Sequence, residues 1–147
     1  RDLMLVGGAL ADGGSIYAWG TEQLAGGLEE MAQLQAEAAA MECDSHGLTM
    51  LPFFSGGGSQ GSSGGANPTT GTLTGMTLRT SRAGILRAIM ESVALRLKGV
   101  FTSISSLLPD DSFEVYASGD ALFKSPLWQQ ILVDAFGKRI HFMSGEK

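Results

Sequence analysis

The sequence predicts a single α/β domain. Three observations carry that prediction: a long helical apolar stripe in the second half of the chain, a strand–glycine–helix–strand order towards its end, and a length of 147 residues, which fits one domain of about 150 residues and not two. Apolar residues at 44% and charged residues at 17% supply enough material for a core, so wholesale disorder is excluded. No stretch approaches the roughly 18 uninterrupted apolar residues of a membrane span. With 10 Lys and Arg against 15 Asp and Glu, the net charge is −5, and no basic cluster offsets it. A nucleic-acid surface or an anionic-membrane binder is therefore not expected.

The elements follow in order. Leu3 to Val6 is a short apolar run closed by Gly7-Gly8, and reads as a buried strand. Gly13-Gly14 precedes Ser15-Ile16-Tyr17-Ala18-Trp19, where a helix begins. From Leu24 the pattern sharpens: Leu24, Leu28, Met31, Leu34, Ala38 and Met41 recur at spacings of three and four, one stripe of a helix, with Glu22, Glu29, Glu30 and Glu37 mostly off it. Leu48 to Phe54 is apolar and broken by Pro52, as an edge strand or extended segment would be. Residues 55–66 are Gly/Ser low complexity, holding six of the 21 glycines. No side chain there offsets the entropy of ordering the backbone, so a mobile surface loop is expected.

Gly71 to Met76 suggests a short strand between glycines. Thr80 or Ser81 then caps the strongest helix, which runs to about Leu108. Leu86, Met90, Val93, Leu97, Val100 or Phe101, Ile104 and Leu108 form its stripe, and Pro109 with Asp110-Asp111 ends it. Phe113, Val115 and Ala117 alternate with polar neighbours in a strand that runs into Gly119. A helix follows from about Ser125 to Phe136, closed by Gly137, and Lys138 to Met143 alternates again with Ile140 and Phe142 on one face.

Candidate chemistry is sparse. Ser118-Gly119-Asp120-Ala121 joins a strand to a helix start, where glycine admits a ligand to the backbone and free N–H groups attract phosphate. A plain turn explains the same residues. Asp12 is a ligand contact or a turn aspartate. Glu91 shares a helix face with Gly84, Ala88 and Leu95, small residues that point to close packing and a buried, paired acid. Trp19 and Trp128 read as core or interface anchors, His46 as a loop residue and His141 as a solvent-facing strand residue. Two histidines and the lone Cys43 give no zinc spacing, so no metal site and no catalytic set are assigned. A single cysteine also suits a reducing compartment, which implies an intracellular, cytoplasmic setting with an organelle left open. The chain starts at Arg1 without a charged-then-apolar leader, as expected of a processed form, an excised domain or a piece of a longer gene product.

The motifs say more than the composition. Gly7-Gly8-Ala9 with Gly13-Gly14 and Trp19, Leu51-Pro52-Phe53-Phe54-Ser55-Gly56, Gly71-x-Leu73-x-Gly75-Met76 followed by Ile85, Ala88, Ile89, Met90 and Glu91, and Ala117-Ser118-Gly119-Asp120-Ala121-Leu122 with Ser125-Pro126-Leu127-Trp128-Gln129-Gln130 stand in one order along the chain. Together they resemble the C-terminal domain of the FGGY carbohydrate kinases, the family of xylulokinase, gluconokinase and glycerol kinase. The resemblance covers almost the whole of residues 1–147. It implies an actin-like, ribonuclease-H-type α/β fold that is the ATP-binding half of an enzyme moving the γ-phosphate of ATP to a sugar hydroxyl. It further implies ATP and Mg²⁺ as cofactors, and Gly119, Asp120 and Ala121 at the nucleotide. Lys124 and Ser125 would lie near the adenine, and Gly71, Thr74 and Gly75 in a signature facing the cleft. The general-base aspartate of the family lies before this domain, so the chain is expected to be inactive alone and to need a kinase N-terminal domain or another protein chain, with the sugar bound only in that company.

The departures matter too. Asp120 stands where the family has a second glycine, and a carboxylate about 4 Å from a phosphate costs on the order of 4 kcal/mol at an effective dielectric of 20 unless Mg²⁺ or rotation relieves it. Gly84 holds a position usually given to an acid, amide or histidine. The Gly/Ser stretch replaces part of a family loop, the phosphate-contacting hairpin expected upstream of Leu3 is absent, and the pattern is truncated at both ends. A second reading follows from these changes: a degenerate, non-catalytic kinase-like module in a larger assembly, with self-association through uncovered sheet edge or apolar surface.

Overall fold

The computed structural model describes residues 13–54, 70–108 and 113–144. The expected strand at Leu3–Val6, the pair Gly7-Gly8, Asp12, the Gly/Ser stretch and the Pro109 to Asp111 stop lie outside them. Helix α1 spans Gly13–Leu24 and α2 spans Leu28–Ala39. The stripe that begins at Leu24 is therefore not one helix, because Gly26-Gly27 interrupts it. Leu34 and Ala38 are buried as expected, but Leu28 is 93% exposed at the first position of α2. The break is tied down locally: the Glu30 carboxylate accepts the Gly26 N–H at 2.6 Å and pairs with Arg82, and Arg82 Nη1 also donates to the Leu24 carbonyl at 3.1 Å.

Strands β1 (Thr49–Leu51) and β2 (Thr72–Thr74) form an antiparallel pair with Met50 opposite Leu73. Gly75 closes β2 at φ 84°, and a Cβ there would run into the Gly47 carbonyl. Only glycine fits both demands. Helix α3 (Arg82–Ser105) starts where the sequence places it, with Ser81 Oγ accepting the Gly84 N–H at 3.0 Å. Leu86, Ile89, Met90 and Val93 of α3 are almost wholly buried. Each such side chain contributes about 1.5–3 kcal/mol through burial. The helix is enclosed on several sides at once, by α1, α2, β1 and the later helix α5 (Pro126–Phe136). Its stripe thins toward the end, and Leu108 is exposed.

Strand β3 (Val115–Ser118) and strand β4 (Ile140–Met143) pair in parallel, Val115 opposite Ile140. Parallel strands need a crossover, supplied by the one-turn helix α4 (Asp120–Phe123) and by α5. Ser125 caps α5, which starts about where the sequence places it, and Gly137 ends it at φ 63° as the sequence predicts. The α4 turn was not anticipated.

Glu91 is paired as expected, and is partly rather than fully buried. Arg87 Nε donates to Glu91 Oε1 at 2.7 Å, and His46 Nε2 meets Glu91 Oε2 at 3.0 Å. Because His46 Nδ1 accepts the Leu48 N–H at 2.9 Å, the ring proton sits on Nε2 and is donated to the carboxylate. So His46 is a loop residue, as read, but a buried one. Arg87 Nη1 also donates to the Ala38 carbonyl at 2.7 Å and the Met41 carbonyl at 2.6 Å, closing the C-terminus of α2.

Two predictions follow from this packing. Arg87→Met strands Glu91 and two carbonyls, and should lower the unfolding free energy by about 3–5 kcal/mol in urea titrations; a loss below 1 kcal/mol would place the network outside the stability of the fold. Glu30 is held below its ordinary pKa of 4.5, first by the Gly26 N–H and then by Arg82. The stability it contributes is present above pH 4.5 and is lost as pH falls through the lower folded value. Glu30→Gln should flatten the acid limb of the stability profile in that window, and an unchanged limb would contradict the assignment.

Candidate nucleotide site

The site grows from the end of β3. Gly119 has φ 144°, in the half of backbone space that disfavours side chains, and a Cβ added there would meet nothing within 4 Å. The open side of that turn looks into a cavity of about 300 Å³. Across it stand Gly13 and Gly14 at the start of α1, and its floor is apolar, with Val93 and Leu97 of α3 and Trp128 and Leu132 of α5. Helix starts present N–H groups without intrahelical partners, and small residues let a ligand approach them. This half suits phosphate. Asp120 lines it with an exposed carboxylate.

A second cavity, of about 600 Å³, lies on the other side of α4. Ala121 lines both, so the two adjoin. Tyr17, Thr21 and Glu22 of α1, the Gly26-Gly27 turn, Leu28 and Met31 of α2, and Lys124 with Ser125 surround it. Leu28 is exposed because it starts a helix at this lip. The walls are mostly apolar, with polar groups from Tyr17, Thr21, Glu22, Gln35, Lys124 and Ser125. Gln35 Nε2 donates to Tyr17 Oη at 2.9 Å. The phenol ring lies on Trp128 with centroids 4.6 Å apart. Burial pushes the Tyr17 pKa above its ordinary 10.0, outweighing the bond from Gln35.

The structure thus brings together five of the residues singled out in the sequence: Gly119, Asp120, Ala121, Lys124 and Ser125. It does not bring Gly71, Thr74 and Gly75 to them. Gly75 lines a separate cavity of about 400 Å³ with His46, Thr77 and Ser81. That cavity touches Met41, just past the C-terminus of α2, whereas the larger one touches Met31, ten residues earlier and so about 15 Å away along the helix. Thr74 lies exposed on β2 with Oγ1 donating to the Thr49 carbonyl at 3.4 Å, and Gly71 abuts the Phe54 ring. Sequence reasoning missed Gly13, Gly14, Tyr17 and Gln35. A glycine pair at a helix start was the available signal for the first two; nothing local marked the others. Among the described residues no three His, Cys, Asp or Glu side chains come together as a ligand set; Asp120 lines the smaller cavity and Glu22 the larger. No helix among the described residues is long and apolar enough to cross a membrane.

No curated protein matches the sequence. In structure the chain is similar to a xylulose kinase from Rhodospirillum rubrum, with a TM-score of 0.73 and 26% identity over 90% of this chain and 26% of that one. It is also similar to a gluconate kinase from Lactobacillus acidophilus, with a TM-score of 0.70, 21% identity, and 90% and 26% of the two chains covered. The corresponding figures for a Plasmodium falciparum glycerol kinase whose structure was determined with ADP are 0.68, 22%, and 88% and 24%. The chain therefore spans about a quarter of the length of each. The family model for the C-terminal domain of the FGGY carbohydrate kinases matches residues 1–146. The α/β, actin-like fold and the order of motifs agree with that match, and the chain belongs to the FGGY family of carbohydrate kinases, as its C-terminal domain.

Proposed function

We propose that residues 1–147 form the nucleotide-binding domain of an ATP-dependent sugar kinase, inactive alone. The observation that carries this reading is the pair of adjoining cavities on either side of α4: a glycine-lined one for phosphates and an apolar one for the base, with Ala121 common to both. Gly119, Asp120 and Ala121 contact the phosphates and ribose, Lys124 and Ser125 flank the base, and Gly13, Gly14 and Tyr17 complete the walls. Gly71, Thr74 and Gly75 serve the β1–β2 hairpin instead.

Phosphoryl transfer needs positioning and charge neutralisation more than covalent help from the protein. This chain supplies the positioning of the donor. Mg²⁺ would travel with the ATP phosphates, and the exposed Asp120 carboxylate, which lines the cavity proposed for them, would lie near it. The base and the sugar contacts come from an N-terminal kinase domain, and the strongly exposed Met76 and Leu78 beyond β2 offer apolar surface for that partner to cover. ATP as donor and the free, exposed Cys43 support an intracellular setting. The chain's departure from the family at Asp120 leaves the smaller cavity open, and Gly84 lies at a separate cavity, so a purely structural module is not the favoured reading.

Calorimetric titration with ATP and Mg²⁺ should give saturable heat, and none at millimolar ATP would overturn the proposal. Asp120→Gly should tighten ATP about fivefold, because an exposed carboxylate about 4 Å from a phosphate costs about 1 kcal/mol in water. The gain should shrink as Mg²⁺ is raised. Unchanged affinity would mean that Asp120 points away from the phosphates.

A further inference from the structure

We propose that the hydroxyl proton of Tyr17 is the donor through which this site reads its nucleotide base, so that the ligand presents a neutral ring-nitrogen acceptor there, as a purine does. The inference rests on the nucleotide reading above and adds to it the polar contact that orients the base.

The direction of one hydrogen-bond chain carries the argument. The Trp128 backbone N–H can only donate, and it donates to Ser125 Oγ at 3.3 Å. Ser125 Oγ in turn donates to Gln35 Oε1 at 3.5 Å. That contact orients the amide, with its oxygen toward Ser125 and its NH₂ toward Tyr17. In the 2.9 Å bond to Gln35 Nε2, Tyr17 is the acceptor, and its proton has no partner among the described residues. Tyr17 and Gln35 both line the larger cavity.

The chain is held rigid at its far end. Ser125 is 1% exposed and caps α5, while the Tyr17 ring is backed by Trp128. Desolvation keeps the phenol protonated, so it remains a donor at any physiological pH. Against walls that are mostly apolar a hydrogen bond is strengthened and directional. Purine ring nitrogens offer in-plane lone pairs of the required kind.

Two substitutions test the direction as well as the group. Tyr17→Phe removes the hydroxyl, keeps the ring on Trp128, and should weaken ATP about fivefold. Gln35→Glu leaves the hydroxyl in place, but its carboxylate accepts from both Ser125 and Tyr17 and turns the proton inward. It should weaken ATP by a similar factor. Among 1-deaza-, 3-deaza- and 7-deaza-ATP, one should bind the unsubstituted chain about fivefold more weakly than ATP does, yet bind Tyr17→Phe no more weakly than ATP does. If ATP binds but all three analogues lose equally in both proteins, or Tyr17→Phe binds ATP as well as the original, the donor assignment is overturned and the nucleotide site stands. Failure of the unsubstituted chain to bind ATP at all overturns both.

Discussion

The buried guanidinium of Arg87 is the interaction on which the rest of the molecule depends. It satisfies two carbonyls at the end of α2, at Ala38 and Met41, and the Glu91 carboxylate one helical turn along α3. A buried cation is costly unless its hydrogen bonds are complete, and here three acceptors converge on it. The consequence reaches far from the charge. Fixing the end of α2 fixes the helix as a whole, and α2 carries Met31 and Gln35 into the wall of the larger cavity. Through Glu91 and His46 the same network also sets the loop that enters β1.

Against that frame the candidate site is an assembly of element ends. Gly13 and Gly14 begin α1, Gly26-Gly27 separates α1 from α2, Gly119 ends the turn out of β3, and Ser125 begins α5. The glycines leave room, and Ser125 stiffens what surrounds the room. The electrostatics are less accommodating, since a chain of net charge −5 places Asp120 where a polyanion is proposed to lie. Only part of a kinase is represented in this length of chain, and a site open on one side suits a domain that completes its catalytic centre against another.

Much of the fold was legible because its signals are local. Ser81 and Ser125 cap helices through a hydroxyl three residues from the N–H it accepts. Gly137 ends a helix at positive φ, and Gly75 closes a strand where no Cβ fits. The stripe of Leu86, Met90 and Val93 identified the central helix at its own 3.6-residue period. The break at Gly26-Gly27 was not legible, because apolar residues on either side keep the same period and so imitate one continuous helix. Leu28 was placed in the core for that reason, and stands at the lip of a cavity instead.

The site divides along the same line. Gly119 through Ser125 could be proposed from the sequence because they are contiguous and lie between a strand and a helix. Tyr17 and Gln35 could not, since they meet each other and Ser125 from three separate helices and each alone resembles an ordinary helix-surface residue. The sequence by itself determined the α/β class, the caps, the turns and the kinship of the chain, all of which depend on residues near one another along the backbone. The tertiary structure decided that Glu91 is locked to Arg87 and His46, that Gly75 lies apart from the two adjoining cavities, and that the Tyr17 hydroxyl accepts from Gln35. Those outcomes depend on which distant hydrogen-bonding groups are already taken, and only packing settles that.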